Sequence, residues 1–313
     1  MDIVVAGAGV IGLTTSLALA DAGHRVRLVT EHPPAETTSR CAGAIWGPHL
    51  VSDARVAGWA LATLPVFERM ADEPCTGVRI AEGIEASRHP MQAPEWLRGL
   101  KGFRDCKHGE LPMGFTAGWH YSVPVIDMPR YLDHLSVELT RRGIRIETRR
   151  VADAAELARL GPVVVNCTGM GARELAGDDE LRPVRGDLIK VANPGITEFF
   201  AEHIEEPEDQ TYFIPFGEFL LLGGTAMVDD EDRAPRPAVA DGILRRCALI
   251  EPRLRDAEVL EHRVGLRPQR PAIRLERTES GGSTVIHNYG HGGSGVSLSW
   301  GCAEAVVDLV AAA

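Results

Sequence analysis

Apolar and polar positions along the first thirty residues fall into short blocks. Residues 2–6 (DIVVA) form an apolar run, GAGVIG follows at 7–12, TTSLALADAG reads as a helix closed by Gly23, and RVRLVT at 25–30 is a second β-rich run. Together they predict a β-α-β unit. Beyond residue 33 the alternation stops. Residues 50–127 mix polar and apolar stretches around Pro65, Pro74, Pro90, Pro94 and Pro112, which predicts an inserted body of strands and short helices, not another parallel layer. A helix returns at 130–142 (RYLDHLSVELTRR), with Leu132, Leu135, Val137 and Leu139 expected on its buried face. RIETRRV comes next, and then the very apolar PVVVNCTG at 162–169 predicts a central strand. The last segment repeats strand, glycine loop and helix as TVIHNYG at 284–290, HGGSG at 291–295 and VSLSWGCAEAVVDLVAA. No tandem repeat or low-complexity tract interrupts this order.

The glycines at 7, 9 and 12 have separable duties. Gly7 allows a tight turn, Gly9 lets backbone N–H groups approach a pyrophosphate, and Gly12 lets helix and strand pack closely, so that the helix N-terminus faces an anion. A GxGxxG alone is weak, but this one follows a strand, opens a helix, and has Glu31 at the end of the second strand, where a ribose hydroxyl pair is expected. An acidic residue there, followed by His32 and Pro33, favours FAD or NAD over NADP. A nucleotide-binding body is therefore expected to assemble from the N-terminus, a middle piece and the C-terminus.

Composition narrows the class further. The 313 residues carry 33 basic and 44 acidic side chains, a net charge of −11, which argues against nucleic acid as a main partner. Six widely spaced cysteines (Cys41, Cys75, Cys106, Cys167, Cys247, Cys302) include no CxxC pair, so neither a metal site nor a disulfide framework is predicted, and reduced thiols in a cytoplasm fit best. The start, Met-Asp with no basic stretch and glycines breaking the apolar run, reads as part of the fold and not as a targeting segment. WGCAEAVVDLVAAA at the end carries no lipidation signal or peroxisomal tripeptide, and no membrane association is expected.

With these pieces in order, the sequence resembles the FAD-dependent D-amino-acid oxidase family along nearly its whole length. The segments that carry the resemblance are VVAGAGVIGL (4–13), TTSRCAGAIWGPHL (37–50), RYLDHLSVELTRRGI (130–144), VVNCTG (164–169), VRGDLIKV (184–191), TYFIPFG (211–217), GLRPQRPAIRLE (265–276) and HNYGHGGSGVSLSWG (287–301). The resemblance implies an α/β fold: an FAD-binding Rossmann-like domain of the hydroxybenzoate-hydroxylase type interleaved with a mixed-sheet substrate domain. Residues 1–49, 128–183 and 266–313 would form the first, and 50–127 with 184–265 the second. It implies oxidation of a D-amino acid by hydride transfer from Cα to flavin N5, with O2 as final acceptor and hydrogen peroxide as product, and it leaves a homodimer open.

For the substrate, the resemblance assigns Arg267 to the α-carboxylate, where only a guanidinium offers two parallel donors. Tyr212 would hydrogen-bond the same carboxylate, and the Gly293 carbonyl would accept the amino group. Outside their motifs, Arg267 would read as a surface arginine and Tyr212 as a core tyrosine. In AIWGPHL, Gly47 and His49 replace the family's usual glutamine and tyrosine, so His49 and Ile45 are expected to wall the pocket, with a polar strand-end histidine as the alternative for His49. Upstream of Tyr212, Glu208 stands where animal relatives carry a lid tyrosine, which predicts a short or absent lid.

For the cofactor, Gly7, Gly9, Val10, Ile11 and Gly12 are expected at the pyrophosphate, Glu31 at the adenosine ribose, and Thr37, Thr38 and Ser39 on the diphosphate side. Gly43, Ala44 and Ile45 would lie along the flavin, Val151 against the adenine, and Thr168 and Gly169 near the ribityl chain. Gly292 and Gly293 are expected just before the last helix and Gly295, Val296 and Ser297 at its start, where its N–H groups would stabilise negative charge on the reduced flavin. A NAD-dependent dehydrogenase is disfavoured because further βαβ units do not follow residue 33. A flavin-binding protein without oxidase activity would keep the glycine loop and lose Arg267 and Tyr212. D-aspartate or glycine/sarcosine-type oxidation stays open, although no arginine in TYFIPFG or AIWGPHL offers a second cation, which favours neutral, bulky or basic D-amino acids.

Overall fold

The β-α-β unit forms where the hydrophobic pattern places it: β1 (Asp2–Ala6), α1 (Val10–Asp21) and β2 (Arg25–Thr30). The structure is a computed structural model and describes residues 1–48, 53–204 and 209–312. The chain continues through β3 (Ala44–Ile45), α2 (Val56–Ala71), β4 (Val78–Ser87), β5 (Arg104–Asp105) and β6 (Ala117–Ile126). It returns to the first unit through α3 (Met128–Arg141), β7 (Ile146–Thr148), α4 (Ala154–Ala158), β8 (Val163–Asn166) and α5 (Ala172–Leu175). Then come β9 (Arg182–Ala192), β10 (Phe199–Glu202), β11 (Tyr212–Pro215), β12 (Phe219–Gly223), β13 (Met227–Val228) and α6 (Pro237–Ile250). The long β14 (Val259–Ser280), β15 (Ser283–His291) and α7 (Gly295–Ala311) close the chain.

Among the described residues these strands form one mixed sheet in the order β3, β6, β4, β10, β11, β12, β9, β14, β15, β8, β1, β2, β7, with β13 paired to β9 and β5 to β6. The end that contains β15, β8, β1, β2 and β7 is parallel. β8 lies between β15 and β1, the central place its apolar run predicts, because both of its faces are covered: Val163 and Val165 pack on one side and Val164 on the other. The expected boundaries at 184 and 266 fall inside β9 and β14, which pair from Val259↔Val191 to Gln269↔Arg182 and carry the sheet from its parallel end into its other half.

Two details of the helices differ from the sequence pattern. α2 is one helix of 16 residues with Pro65 inside it. Its buried face is Val56, Ala60, Thr63 and Phe67, whereas Pro65 is exposed and Leu61, whose carbonyl loses its helical partner, is 59% exposed. A proline is tolerated there because water can satisfy that carbonyl. In α3, Leu132, Leu135 and Leu139 are buried, but Val137 is 49% exposed, two positions from Leu135 and hence on the other side of the helix.

Alternation along the strands sets the two faces of the second half of the sheet. On β9, Ile189 and Val191 pack with Ile243 and Cys247 of α6, while Gly186 and Leu188 turn to the opposite face and line a cavity. Phe213 of β11 and Phe200 of β10 join the α6 side, which leaves Tyr212 and Ala201 facing the cavity. At the parallel end, Gly7 turns the chain with φ +105°, and a Cβ at Gly12 would overlap the Gly7 carbonyl oxygen.

Replacing Gly12 by alanine forces backbone apart and is expected to destabilise the fold by about 2–3 kcal/mol. Gly58→Ala, inside α2 with open space around it, should stabilise by about 0.5–1 kcal/mol through helix propensity. Denaturant unfolding of both variants beside the wild type checks the pair of opposite signs.

Candidate active site

A cavity of ≈ 470 Å³ lies along the switch from the parallel to the mixed part of the sheet. Its parallel end is lined by Glu31, Arg149 and Val151, its middle by the loop from Gly7 to Ile11, and its other end by Tyr212 and Arg267. Two helices open onto it: Gly9, Val10 and Ile11 at the start of α1, and Gly295, Val296 and Ser297 at the start of α7. The first N–H groups of a helix have no partner inside it, so both ends present donors and positive potential to an anion.

Arg267 and Tyr212 meet on the floor at one end. The sheet reserves room for them with glycines: a Cβ at Gly186 would stand 2.5 Å from the Arg267 Cζ, and one at Gly223 would overlap the Tyr212 ring. Gly43 lies across from them, where a Cβ would be 3.5 Å from the Tyr212 hydroxyl. Burial pushes the Tyr212 phenol up to about 12, against the opposing charge of Arg267, so the hydroxyl stays protonated as a donor at neutral pH. Burial also lowers the Arg267 guanidinium from its ordinary value, partly offset by Tyr212 and Asp187.

Arg267 donates through Nη1 to the Thr225 carbonyl at 2.8 Å, and among the described residues no carboxylate pairs with it. Thr225 is itself fixed: its hydroxyl donates to Asp187 Oδ2 and accepts from the Asp187 backbone N–H, each at 2.9 Å. Asp187 is fully buried, held by Arg185 at 2.8 Å and 3.0 Å and by the His262 ring at 2.9 Å. Burial alone would raise this carboxyl, but hydrogen bonds from Arg185, His262 and Thr225 keep it below the usual range. The network answers its own charges and leaves Arg267 as a cation facing a cavity.

The remaining residues expected from the sequence fall along the same cavity with one exception. Thr37, Thr38 and Ser39 line it beside the glycine loop, where Ser39 Oγ accepts the Val10 N–H at 2.9 Å and the Thr37 hydroxyl donates to Pro34. Gly43, Ala44 and Ile45 form one wall, and Thr168 and Gly169 another, with the Thr168 hydroxyl donating to Asn166. Glu31 is exposed, 3.6 Å from Arg150. Gly292 and Gly293 precede α7, and Ser297 Oγ accepts the Gly47 N–H at 3.1 Å, which leaves the serine proton for another acceptor. Gly12 is the exception: it does not line the cavity but packs beneath the loop against Gly7 and Cys167. His49 and Glu208 lie outside the described residues.

Sequence reasoning missed Thr225 and Asp187, which act on Arg267 from another strand and a neighbouring loop. It also missed Glu85, Tyr121 and His203, which line the substrate end of the cavity. The alternation of β9 places Gly186 on the cavity side, but only the pairing register reveals what it faces.

Residues 2–309 match the family described as FAD dependent oxidoreductase, and the chain belongs to that family. It is 46% identical over 313 residues to the D-amino-acid oxidase of Rubrobacter xylanophilus, covering 99% of this chain and 96% of that one. It is 45% identical over 312 residues to the D-amino-acid oxidase of Streptomyces coelicolor, covering 98% and 96%. Among solved structures it is similar in fold to glycine oxidase from Geobacillus kaustophilus, with TM-score 0.82, 21% identity and coverage of 99% and 94%. Among the described residues no helix is long and apolar enough to cross a membrane.

FAD is the cofactor of this family, and the residues present fit it. Both helix N-termini face the cavity, and glycines keep its middle open to a flat, extended group. His291 and Asn288 also line it, and each keeps a buried polar atom, Nε2 and Oδ1, without a partner among the described residues. Burial lowers the His291 imidazolium to about 3. The unfolded chain takes a proton on histidine near its ordinary 6.5, so between these values the unfolded state binds more protons, and the stability this neutral ring supplies above pH 6.5 is lost as pH falls toward 3. Thermal unfolding of His291→Gln against pH should therefore show a smaller drop in Tm between pH 7 and 4 than the wild type; equal drops would remove His291 from the acid response.

Proposed function

We propose that this chain oxidises D-amino acids to imino acids, which water hydrolyses to 2-oxo acid and ammonia, with O2 reduced to hydrogen peroxide. The observation that carries the reading is Arg267, a half-buried cation held by a neutral carbonyl and open to the cavity, because such a group calls for an anionic ligand. The names of relatives at 45% and 46% identity over nearly the whole chain supply the substrate class.

When bound, FAD would supply the acceptor for the hydride of substrate Cα and the route of its electrons to O2. The chain's part is to orient. Arg267 clamps the substrate carboxylate with two parallel donors, and Tyr212 donates its hydroxyl to the same group. The Gly293 carbonyl accepts the amino group. The start of α7, with Ser297, sets positive potential and a hydroxyl donor at the edge where negative charge develops. The cofactor roles of the glycine loop, Glu31, Val151, Thr168 and Gly169 belong to the same reading, supported by their shared cavity. All six cysteines are free thiols, which supports a reducing compartment such as the cytoplasm.

The test is an anaerobic visible spectrum of the purified holoprotein during titration with paired D- and L-amino acids. D-enantiomers should bleach the flavin band and air should restore it, while L-enantiomers leave it unchanged; a band that no D-amino acid bleaches would contradict the substrate class. Tyr212→Phe should raise KM about tenfold or more, the loss of one hydrogen bond to a charged group, with a smaller change in kcat. Steady-state oxygen uptake separates the two parameters.

A further inference from the structure

The loop between β13 and α6 is dense in charge: Asp229, Asp230, Glu231, Asp232, Arg233 and Arg236. Its acids are answered one by one, Asp229 by Arg182, Glu231 by Arg173 at 2.8 Å, and Asp230 and Asp232 by Arg236 at 2.5 Å and 2.9 Å. Arg233 is exposed, pairs with no carboxylate among the described residues, and lines the cavity with Thr225 and Ala226. Resting on the D-amino-acid reading above, we propose that Arg233 is the second cation of the substrate site and takes the side-chain carboxylate of an acidic D-amino acid such as D-glutamate. Neither AIWGPHL nor TYFIPFG holds an arginine, so this cation comes from a loop that follows both.

One buried ion pair places both cations. Arg185 is fully buried and holds Asp187 through Nε at 3.0 Å and Nη2 at 2.8 Å. Asp187 accepts the Thr225 hydroxyl, and the Thr225 carbonyl accepts Arg267 Nη1. The same Arg185 guanidinium donates to the Asp232 carbonyl at 2.5 Å and to the Ala234 carbonyl at 2.9 Å, on either side of Arg233. The backbone of this exposed arginine is thereby tied to the group that steadies the clamp, which lowers the entropy lost when its side chain closes on a ligand. Its charge is felt at the Cys41 thiol, which burial raises and the charges of Arg40, Arg263 and Arg233 oppose, with Glu261 adding to the rise. Arg40 and Arg263 are engaged by Glu261 at 3.1 Å and 2.8 Å, whereas Arg233 stays available. Cys41 lines the cavity above Gly265, where a Cβ would stand 3.0 Å from the Cys41 Cβ. Gly265 and Arg267 lie two residues apart on one face of β14, about 7 Å. The two carboxylate carbons of an extended D-glutamate are about 5 Å apart by standard bond lengths, a span that fits between Arg267 and a guanidinium reaching in beside Cys41. The carboxylates at the substrate end are already engaged, Glu85 by Tyr121 and His203 and Glu202 by Arg88.

The experiment measures kcat/KM of the holoenzyme for D-glutamate and D-glutamine, which match in shape and differ in side-chain charge. The wild type should use D-glutamate at least as well as D-glutamine at low ionic strength, and that preference should fall about threefold or more as salt rises to about 0.5 M, because an exposed pair is screened. Arg233→Gln should lower kcat/KM for D-glutamate about tenfold, chiefly through KM, and change D-glutamine by less than about threefold. Arg233→Lys should keep part of the preference. A wild type poorer on D-glutamate than on D-glutamine overturns the proposal without any variant. Equal losses for both substrates in Arg233→Gln overturn it too. So does faster release of FAD from Arg233→Gln on dilution with the D-glutamate preference intact, which would assign the cation to the cofactor's phosphates. If no D-amino acid is oxidised, the D-amino-acid reading falls and this proposal with it; oxidation of D-glutamine with indifference to Arg233 removes this proposal alone.

Discussion

One half-buried guanidinium without a carboxylate partner governs the site. Withdrawing part of Arg267 from water is costly unless an anion answers its charge, and the partner seen among the described residues is a neutral carbonyl. The surrounding structure holds that unfavourable arrangement in place. Glycines at 186 and 223 clear the volume for Arg267 and Tyr212, and the buried Asp187, fixed by Arg185 and His262, anchors the Thr225 carbonyl. A ligand carboxylate completes what the fold leaves open, so binding energy is concentrated where the substrate must be oriented.

The sheet achieves this by assigning its two faces different tasks. One face of the second half is apolar and sealed by α6, with Ile189, Val191, Phe200 and Phe213 in its core. The other face runs Glu85, Ala201, Tyr212, Gly223 and Leu188 across five strands. The period of two along each strand makes this division automatic once the register is set, and a slip of one residue would exchange the faces. At the parallel end, α1 and α7 direct their N-termini at the same cavity, so cofactor and substrate regions share one floor.

Much of the parallel end was legible in the sequence because its signals are local. The strand, glycine loop and helix at 2–21 follow from short-range spacing, and the PVVVNCTG run could be placed at the centre because a strand covered on both faces is apolar throughout. Pro65 misled because a proline on the solvent side of a helix interrupts the pattern without breaking the helix, and Val137 because an apolar residue at the wrong angle still looks like core. Arg267 and Tyr212 stand out through family resemblance, while the reason they act together depends on Thr225, Asp187, Gly186 and Gly223, which meet them only through long-range pairing. Glu85 carries no local signal at all: its distance in sequence from Tyr212 exceeds any window, and only the β4, β10, β11 register brings the two to one surface.

The central claim is that Arg267 is a cation awaiting a carboxylate, and it is tested most directly with a ligand that cannot react. Benzoate has a carboxylate and no Cα–H to lose. Its affinity can be read from the Tm of the holoenzyme at increasing concentration, since a ligand at 100 times its Kd stabilises by about 2.7 kcal/mol. The wild type should show a saturating rise in Tm, and binding should be at least about 100-fold weaker in Arg267→Met, which keeps bulk and removes charge. Equal stabilisation of the two proteins would mean that the carboxylate is held elsewhere, and the reading of the site would be wrong at its foundation.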